Sequence, residues 1–361
     1  MIAFSLAAFL SALLISALLT SVERRLAIRL NLVAPVRPDR LHTEPRPYAG
    51  GGAILTILCV AACIPFVWCK VVARDDTWVS EQHLTAVCDT LFQAKTLLGG
   101  IGLFFMLGAL DDQYNLSARL KLPVELAMAA VVVWAFHIKA TLWLTIPYAG
   151  DIVSILWIVA LVNAYNMLDH ADGLAATAGA VALIALAVGH MLMGEEFMPL
   201  APLITAGALA GFLIHNFPRA KLFMGDAGSL QVGFLLAALT IQGRYYYEGQ
   251  TPSRLVVLIP LAILAVPLFD MVCVTLSRIR RRQSPFRGDA TSHLAHRMLA
   301  RGWSPRGIVA FAAGASAVTG GASVAMYFLS GPALVLPWLA VAAVLVAMFL
   351  VRRPVCPEAT S

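Results

Sequence analysis

Two adjacent carboxylates, Asp111 and Asp112, close an apolar stretch of this 361-residue chain. At the C-terminus of a helix, such a pair is opposed by the helix dipole and by the repulsion between its two charges. A metal ion, another bound cation or a shared proton would offset this repulsion. The pair therefore indicates a charged binding site, although a solvated boundary between an apolar segment and a loop would use the same residues.

A second polar cluster lies in the segment NAYNMLDHADGLAA, residues 163–176. Asn163, Asn166 and Asp169 are spaced three residues apart, so a helix would carry them along one side. Asp172 follows, and the glycine after it permits a turn. Oxygen-bearing side chains are costly against lipid, which predicts that this cluster faces a protein-lined cavity. A helix-capping turn would explain the last residues of the segment but not the two asparagines.

The segment KLFMGDAGSL, residues 221–230, carries Asp226 between two glycines. Ser229 is predicted to be the N-cap of the next helix. A glycine-rich turn into a helix N-terminus offers backbone N–H groups and a positive dipole end to an anion. The carboxylate of Asp226 would repel that anion unless a divalent cation bridged the two, which is how Mg²⁺ binds phosphates. A capped loop without a ligand is the alternative.

A basic loop, SPFRGDATSHLAHRML at residues 284–299, brings His293, His296 and Arg297 close together in sequence. In a helical turn they would form a compact set of donors for phosphate or sugar hydroxyl groups. Zinc is a weaker interpretation, because no cysteine and no third histidine is close in sequence. A loop that only sets membrane topology would account for the arginines but not for the histidines.

The elements that position these clusters are predicted to be membrane helices. The composition is 60% hydrophobic and only 13% charged, whereas soluble domains carry about 25% charged residues. This excludes a soluble enzyme and predicts one all-α, polytopic membrane domain over residues 1–361. Apolar stretches predict eleven transmembrane helices, at residues 1–20, 50–69, 96–110, 122–138, 152–168, 173–193, 199–216, 229–243, 254–277, 307–329 and 331–351.

The basic residues predict how this domain is oriented. Of the 26 lysines and arginines, 20 fall on one side, in alternate loops and the C-terminal tail. The positive-inside rule makes that side cytoplasmic, with the N-terminus outside and the C-terminus inside. The four polar clusters, and a proline- and glycine-rich loop at residues 37–54, then meet in one cytoplasmic cleft. The net charge of +6 is explained by topology and indicates no nucleic-acid partner.

The six cysteines do not indicate a disulfide framework. Cys59, Cys63 and Cys273 lie within predicted spans and are interpreted as small core residues. Cys69 and Cys88 flank the one long outward loop, where they could pair in an oxidising compartment.

The order of the motifs, DD, then NxxNxxDxxDGLA, then FMGDAGS, then a basic loop with histidines, resembles one enzyme family over about residues 37–300. This family is the polyprenyl-phosphate N-acetylhexosamine-1-phosphate transferases of bacterial inner membranes. The resemblance implies ten or eleven transmembrane helices around a cytoplasmic cleft. It implies transfer of a sugar phosphate from a UDP-sugar to undecaprenyl phosphate, with release of UMP, in the presence of Mg²⁺ or Mn²⁺. It leaves a homodimer open.

The resemblance implies a role for each residue that matches one of the family's motifs. Asn166 and Asp226 would be metal ligands. The catalytic carboxylates would be Asp111, Asp112 and Asp169, of which the adjacent pair would deprotonate or position the lipid phosphate. Phe223 would stack on uracil. The full set of substrate-binding residues that the resemblance implies is Asn163, Asp172, Phe223, Lys121, His293, His296 and Arg297.

Two departures from the family pattern bear on the choice of substrate. His170 stands where the motif has a glycine, and His293 and His296 are not adjacent. The opening SPF of the basic loop is more similar to the N-acetylglucosamine branch than to the branch that uses the muramoyl-pentapeptide nucleotide, which remains the alternative.

Two other classes of protein remain open. A secondary transporter would place coupling residues near the bilayer midplane, where the predicted spans are almost entirely apolar. An inactive scaffold of the same family is the other alternative. The presence of four motif residues argues against it, namely Asp111, Asp112, Asn166 and Asp226.

Overall fold

The computed structural model describes residues 2–30, 33–34, 46–47, 51–61, 81–140, 146–195, 197–284 and 293–352. α-Helices make up most of these residues, and the prediction of an all-α protein is confirmed for this part of the chain. Two-residue strands β1 (Val33–Ala34) and β2 (Arg46–Pro47) form one antiparallel pair. The helices are α1 (Ile2–Arg29), α2 (Gly51–Ala61), α3 (Glu81–Tyr114), α4 (Ala118–Ala135), α5 (Ala149–Leu168), α6 (Leu174–Leu192), α7 (Leu200–Asn216), α8 (Gly225–Gln242), α9 (Ile259–Ile263), α10 (Ala265–Arg280), α11 (Leu294–Leu299), α12 (Pro305–Ala325) and α13 (Val335–Arg352). Two 3₁₀ turns, Arg254–Leu258 and Gly331–Leu334, precede α9 and α13.

The number of eleven spans is not confirmed. Six described helices are long and apolar enough to cross a membrane, or seven if α9 and α10 count as one span. These two helices meet at a bend of 66°, so the span predicted at 254–277 is broken. α2 and α7 are apolar but short. α4 includes three charged residues, and α8 begins and ends with polar ones, so hydropathy and length do not mark either as a span.

α8 lies at the centre of the helical core. Every side chain from Leu230 to Leu239 is buried, and a helix buried on all sides is one that other helices surround. α3 and α5 both pack against it. The C-terminal ends of α3 and α5 carry polar residues. Through this packing they lie close to the N-terminus of α8.

The first and last helices lie at the periphery. Only 17% of the apolar window in α1 and 22% of that in α13 are buried. Leu14 and Leu336 are each 62% exposed. Continuous exposed apolar surface of this kind is unsuited to water and typical of a membrane protein. α1 packs on α7, and α13 packs on α12 and α11.

Candidate active site

The ammonium group of Lys121, near the start of α4, lies at the centre of the site. Its Nζ is 2.6 Å from Oδ2 of Asp111 and 3.0 Å from Oδ2 of Asp226. The amide oxygen of Asn166 is 3.4 Å away. The structure thus brings together four predicted site residues from α3, α4, α5 and α8, which are up to 115 residues apart in the chain.

The members of this cluster differ in accessibility. The side chain of Asp111 is 10% exposed and that of Lys121 is 12% exposed, whereas that of Asp226 is 30% exposed. Lys121 holds two carboxylates whose charges repel each other. Asp226 is therefore the carboxylate best placed to contact a ligand outside the cluster.

Asp112 caps α8 with both of its carboxylate oxygens. Its Oδ1 accepts the backbone N–H of Asp226 at 2.9 Å, and its Oδ2 accepts that of Ala227 at 3.0 Å. A carboxylate at the positive end of a helix is favourable. The sequence predicts an anionic ligand at this helix N-terminus. In the structure, the carboxylate of Asp112 accepts two of its backbone N–H groups.

The prediction that Ser229 is the N-cap of this helix is wrong. α8 begins at Gly225, and Ser229 is buried inside it, where its Oγ accepts a hydrogen bond from the Asn166 side chain at 3.1 Å. The cap comes instead from Asp112, more than a hundred residues earlier in the chain. A local capping pattern could not predict a cap supplied by another helix.

Two glycines allow α3 and α8 to approach each other this closely. A Cβ at Gly108 would lie 2.3 Å from the carbonyl oxygen of Asp226. A Cβ at Gly225 would lie 2.7 Å from Oδ2 of Asp112, and Gly225 has a φ of +70°. Only glycine adopts this conformation without strain and leaves room for the capping carboxylate.

Asn163 has a buried carboxylate as its partner. Its Nδ2 donates to Oε2 of Glu125 and to the carbonyl oxygen of Val159, the latter at 2.9 Å. Glu125 is fully buried and lies one helical turn after Lys121 on α4. The sequence analysis missed Glu125, although an acidic residue inside an apolar stretch is a signal that could have found it.

The turn between α5 and α6 carries Asp169 and Asp172. Asp169 ends α5, and its N–H donates to the carbonyl oxygen of Tyr165 at 3.1 Å. Oδ2 of Asp172 accepts the N–H of Ala220 at 2.9 Å. Buried Asn216 also holds the two segments together, because it binds the backbone of the turn and that of the loop before α8.

Phe223 lies in that loop, three residues before Asp226, and is partly buried. Its N–H donates to the carbonyl oxygen of Pro47 at 3.0 Å, which anchors the loop to β2. The aromatic ring is thus carried on a fixed backbone beside the start of α8.

Three histidines form a second cluster, made of His170, His293 and His296. The rings of His170 and His293 are 4.4 Å apart, and those of His170 and His296 are 5.5 Å apart and stacked. Nδ1 of His170 is 2.8 Å from the carbonyl oxygen of Met167. Burial, together with the neighbouring His293, lowers the pKa of His170 to about 3. The histidine that replaces the family's glycine therefore packs on the predicted sugar-phosphate residues in its neutral form.

Arg297 contacts the end of the last helix. Its Nη1 donates to the carbonyl oxygen of Arg352 at 2.6 Å. The side chain of Arg352 in turn reaches Asp270, which is 1% exposed. Neither Asp270 nor Arg352 was recognised in the sequence analysis, although Asp270 is another acidic residue within an apolar stretch.

Several predictions lie outside the described residues. They concern most of the loop at 37–54, the first part of the basic loop at 285–292, and Cys69. Cys88 lies within α3, so the long outward loop predicted before residue 96 is helical from Glu81 onward.

The oxygen atoms around Lys121 are of the kind that bind Mg²⁺. Two carboxylate oxygens and one amide oxygen surround the same cationic nitrogen, Nζ of Lys121. In the part of the chain that the structure describes, no three His, Cys, Asp or Glu side chains form a metal-binding group. A metal ion would therefore need the amide oxygen of Asn166 beside Asp226. Such an all-oxygen set fits Mg²⁺ or Mn²⁺ and not a softer metal.

Comparison with known proteins agrees with this geometry. Residues 95–244 match the family described as Glycosyl transferase family 4. A decaprenyl-phosphate N-acetylglucosaminephosphotransferase of Mycobacterium leprae (strain TN) is 32% identical over 373 residues, covering 91% of this chain and 89% of the relative. A probable undecaprenyl-phosphate N-acetylglucosaminyl 1-phosphate transferase of Bacillus subtilis (strain 168) is 29% identical over 308 residues, covering 83% and 78%.

A third relative is the undecaprenyl-phosphate alpha-N-acetylglucosaminyl 1-phosphate transferase of Salmonella typhi. It is 24% identical over 332 residues, covering 89% of this chain and 83% of the relative. The helical fold, the oxygen-rich site and these similarities define a membrane transferase of substituted phosphate groups. The chain belongs to glycosyl transferase family 4, and within it to the prenyl-phosphate N-acetylglucosamine-1-phosphate transferases.

Proposed function

We propose that this protein transfers N-acetylglucosamine 1-phosphate from UDP-N-acetylglucosamine to undecaprenyl phosphate and releases UMP. The observation that carries the proposal is the convergence of Asp111, Asn166 and Asp226 on Lys121. The names of the relatives support the sugar and the class of lipid. This reaction is a first membrane step in the assembly of a cell-envelope polysaccharide.

The reaction brings two anions together. An oxygen of the lipid phosphate attacks the β-phosphorus of the UDP-sugar, the bond from that phosphorus to the bridging oxygen breaks, and UMP leaves with the bridging oxygen. Catalysis of such a transfer depends mainly on alignment and on neutralising charge. Lys121 supplies one positive charge at the meeting point. Asp111, which contacts Lys121, is the carboxylate that would accept a proton from the lipid phosphate.

Asp226 and Asn166 would hold Mg²⁺ or Mn²⁺, whose charge would neutralise the diphosphate. Asp112 acts through Asp226, because both of its oxygens bind the backbone at the start of α8. We therefore assign Asp112 a positioning role. Both oxygens of Asp111 also accept hydrogen bonds, from the N–H of Leu116 and the ammonium of Lys121, but Asp111 lies in the cluster that would meet the substrates, so we keep the proton transfer for it.

The remaining predicted residues surround the nucleotide and the sugar. Phe223 would stack on uracil, while Asn163, Asp169 and Asp172 would shape the nucleotide pocket. His293, His296 and Arg297 would donate hydrogen bonds to the sugar phosphate. Asp172 and Asn163 already bind protein groups, so their contribution to the pocket is to fix its walls.

The proposed setting is the bacterial inner membrane, with the site in a cleft on the cytoplasmic side, the N-terminus outside and the C-terminus inside. A nucleotide sugar is a cytoplasmic metabolite, and the isoprenoid tail of the acceptor stays in the bilayer. A phosphate-handling enzyme that is mostly apolar fits these two substrates. Eleven membrane crossings, which we propose here, would place the termini on opposite sides, since an odd number of spans separates them.

Release of UMP by the detergent-purified protein tests the function. The protein is given undecaprenyl phosphate, Mg²⁺ and one donor at a time: UDP-N-acetylglucosamine, UDP-N-acetylgalactosamine or the muramoyl-pentapeptide nucleotide. We expect lipid-dependent UMP release with UDP-N-acetylglucosamine. Release with only the muramoyl-pentapeptide nucleotide would replace the proposed donor. No release from folded protein with any donor would overturn the proposal, and His170 would be the first position to revert to glycine.

A further inference from the structure

We propose that Asp270 and Arg352 are positioning residues that hold His293 for the sugar phosphate, so that the last helix is part of the active-site structure. This inference rests on the proposed function. It concerns two residues that the motifs do not include, one on α10 and one at the end of α13. We call Asp270, Arg352, His293 and the backbone N–H of Leu294 the Asp270 clamp.

Asp270 is placed so that its carboxylate organises several groups at once. Its Oδ2 is 3.2 Å from Nδ1 of His293, and its Oδ1 accepts the backbone N–H of Leu294 at 3.1 Å. The guanidinium group of Arg352 also donates to Oδ1. The residue is 1% exposed. A buried carboxylate requires such partners, because its desolvation is otherwise very costly.

The clamp fixes both the helix and the ring of His293. His293 is the N-cap residue of α11, whose first N–H is the one that Asp270 accepts. The carboxylate of Asp270 only accepts hydrogen bonds, so Nδ1 of His293 must carry a proton and donate it. Nε2 is then the ring nitrogen that does not bind Asp270, and it is the one proposed to meet the sugar phosphate. The ring of His170 lies tilted against this ring, with the two ring centroids 4.4 Å apart, which limits its rotation.

Arg352 makes this arrangement dependent on α13. Its side chain offsets the buried charge of Asp270, and its carbonyl oxygen accepts a hydrogen bond from Arg297 at 2.6 Å. One residue of the last helix therefore binds both the residue that positions His293 and a second predicted sugar-phosphate residue.

The Asp270→Asn variant separates positioning from stability. The amide still accepts the N–H of Leu294 but no longer carries the charge that holds His293 and Arg352. We expect the KM for UDP-N-acetylglucosamine to rise by about tenfold, the size expected when one hydrogen bond to a charged substrate group is lost. The KM for undecaprenyl phosphate should stay within about twofold of wild type. A purely structural role would lower the active fraction and leave both KM values unchanged, which would overturn the inference.

Arg352 variants provide a second test in case Asp270→Asn does not fold. Arg352→Met removes the charge, and Arg352→Lys keeps it. We expect the same selective rise in the KM for the UDP-sugar in Arg352→Met and a partial recovery in Arg352→Lys. Arg301→Met is the matched control, because Arg301 also contacts α13, through the carbonyl oxygen of Leu350 at 3.0 Å, but is less buried than Arg352. An equal effect in Arg301→Met would overturn the inference.

Failure of this inference is distinguishable from failure of the proposed function. If wild-type protein releases no UMP with any donor, the function itself is wrong and the KM comparison is not reached. If wild-type protein is active and both clamp variants keep the wild-type KM for the UDP-sugar, only the positioning role of Asp270 and Arg352 is wrong.

Discussion

The carboxylate of Asp112 accepts the backbone N–H of Asp226 at 2.9 Å. Through this contact, one member of the acidic pair on α3 determines where the first turn of α8 begins. The side chain of Asp226 projects from that turn toward Lys121. The carboxylate of Asp112 therefore sets the position of the carboxylate of Asp226. The two aspartates of the DD motif therefore have different tasks, which their adjacency in sequence does not reveal.

Asp226→Asn should reduce turnover by about 100-fold or more, because the variant loses the accessible carboxylate proposed to bind the metal ion. The protein should still insert in the membrane and remain folded. UMP release and size-exclusion chromatography in detergent measure the two properties. Asp151→Asn is the matched control, since Asp151 pairs with half-exposed Lys139 at the other end of α5. Turnover near wild type in Asp226→Asn would contradict the metal assignment.

Lys121→Met should make folding stability depend on Mg²⁺. Without the ammonium group, the carboxylates of Asp111 and Asp226 face each other uncompensated, and loss of one partner from a buried ion pair is strongly destabilising. We expect an unfolding temperature about 5 °C lower than that of wild type in EDTA. Excess Mg²⁺ should restore it, because a cation can take the vacated place. Lys121→Arg keeps the charge and serves as control, and no response to Mg²⁺ in the methionine variant would argue against an oxygen-bound cation here.

Gly225→Ala should lower both stability and turnover. Its Cβ would lie 2.7 Å from Oδ2 of Asp112, so the cap on α8 must move and Asp226 with it. Gly249→Ala is a close control, because Gly249 has a φ of +76° but nothing within 4 Å of its Cβ position. The strain of a left-handed backbone, about 1–2 kcal/mol, is common to both variants. The loss of turnover should occur only in Gly225→Ala, and equal turnover in the two would show that the cap does not position Asp226.

His170 should make the protein less stable at acidic pH. Burial lowers its pKa from 6.5 to about 3 in the folded protein. Below pH 6.5 the unfolded chain therefore binds a proton that the folded protein does not, and stability falls as the pH decreases toward 3. At pH 5 the effect of this residue is about 2 kcal/mol.

The unfolding temperature at pH 7.5 and pH 5.0 tests this effect. It should fall less between the two pH values in His170→Asn, whose amide can still donate to the carbonyl oxygen of Met167 but does not titrate. The same fall in both proteins would mean that another group is responsible.

Single cysteines can test the proposed orientation. Ser117 and Gln250 are both exposed, the first beside Lys121 and the second beyond the opposite end of α8. In a background without native cysteines, Ser117→Cys should react with a membrane-impermeant reagent only after the inner face is opened. Gln250→Cys should react from outside in intact cells. The reverse pattern would place the site on the outer face.

The site could be predicted from the sequence where its parts are motifs. The types and order of the motif residues point to Asp111, Asn166 and Asp226, and the family resemblance adds Lys121. The structure brings the first three within 3.4 Å of the ammonium group of Lys121. The helical class followed from composition alone. The number of spans did not follow as easily. Average hydropathy does not show the bend inside one apolar segment, and the three charged residues inside α4 keep that helix from being marked as a span.

Contacts between distant parts of the chain explain what was missed. Ser229 matched a capping pattern, but the true cap is Asp112, and no local rule describes a cap from another helix. Arg352 is 82 residues from Asp270, so their pairing has no signature in sequence. Glu125 and Asp270 could have been noticed as acidic residues in apolar stretches. Only the three-dimensional structure shows which residues they contact.

The separation of Lys121 and Asp226 by 105 residues has a consequence for biosynthesis. A ribosome adds about 5–20 residues per second, so Asp226 is made roughly 5–20 s after Lys121. During that interval the nascent chain holds Asp111 and Lys121 without their third partner, and the cap on α8 does not exist. The enzyme cannot be chemically competent before α8 packs against α3 and α5. A prematurely terminated chain that ends before α8 therefore lacks the centre that would process nucleotide sugar.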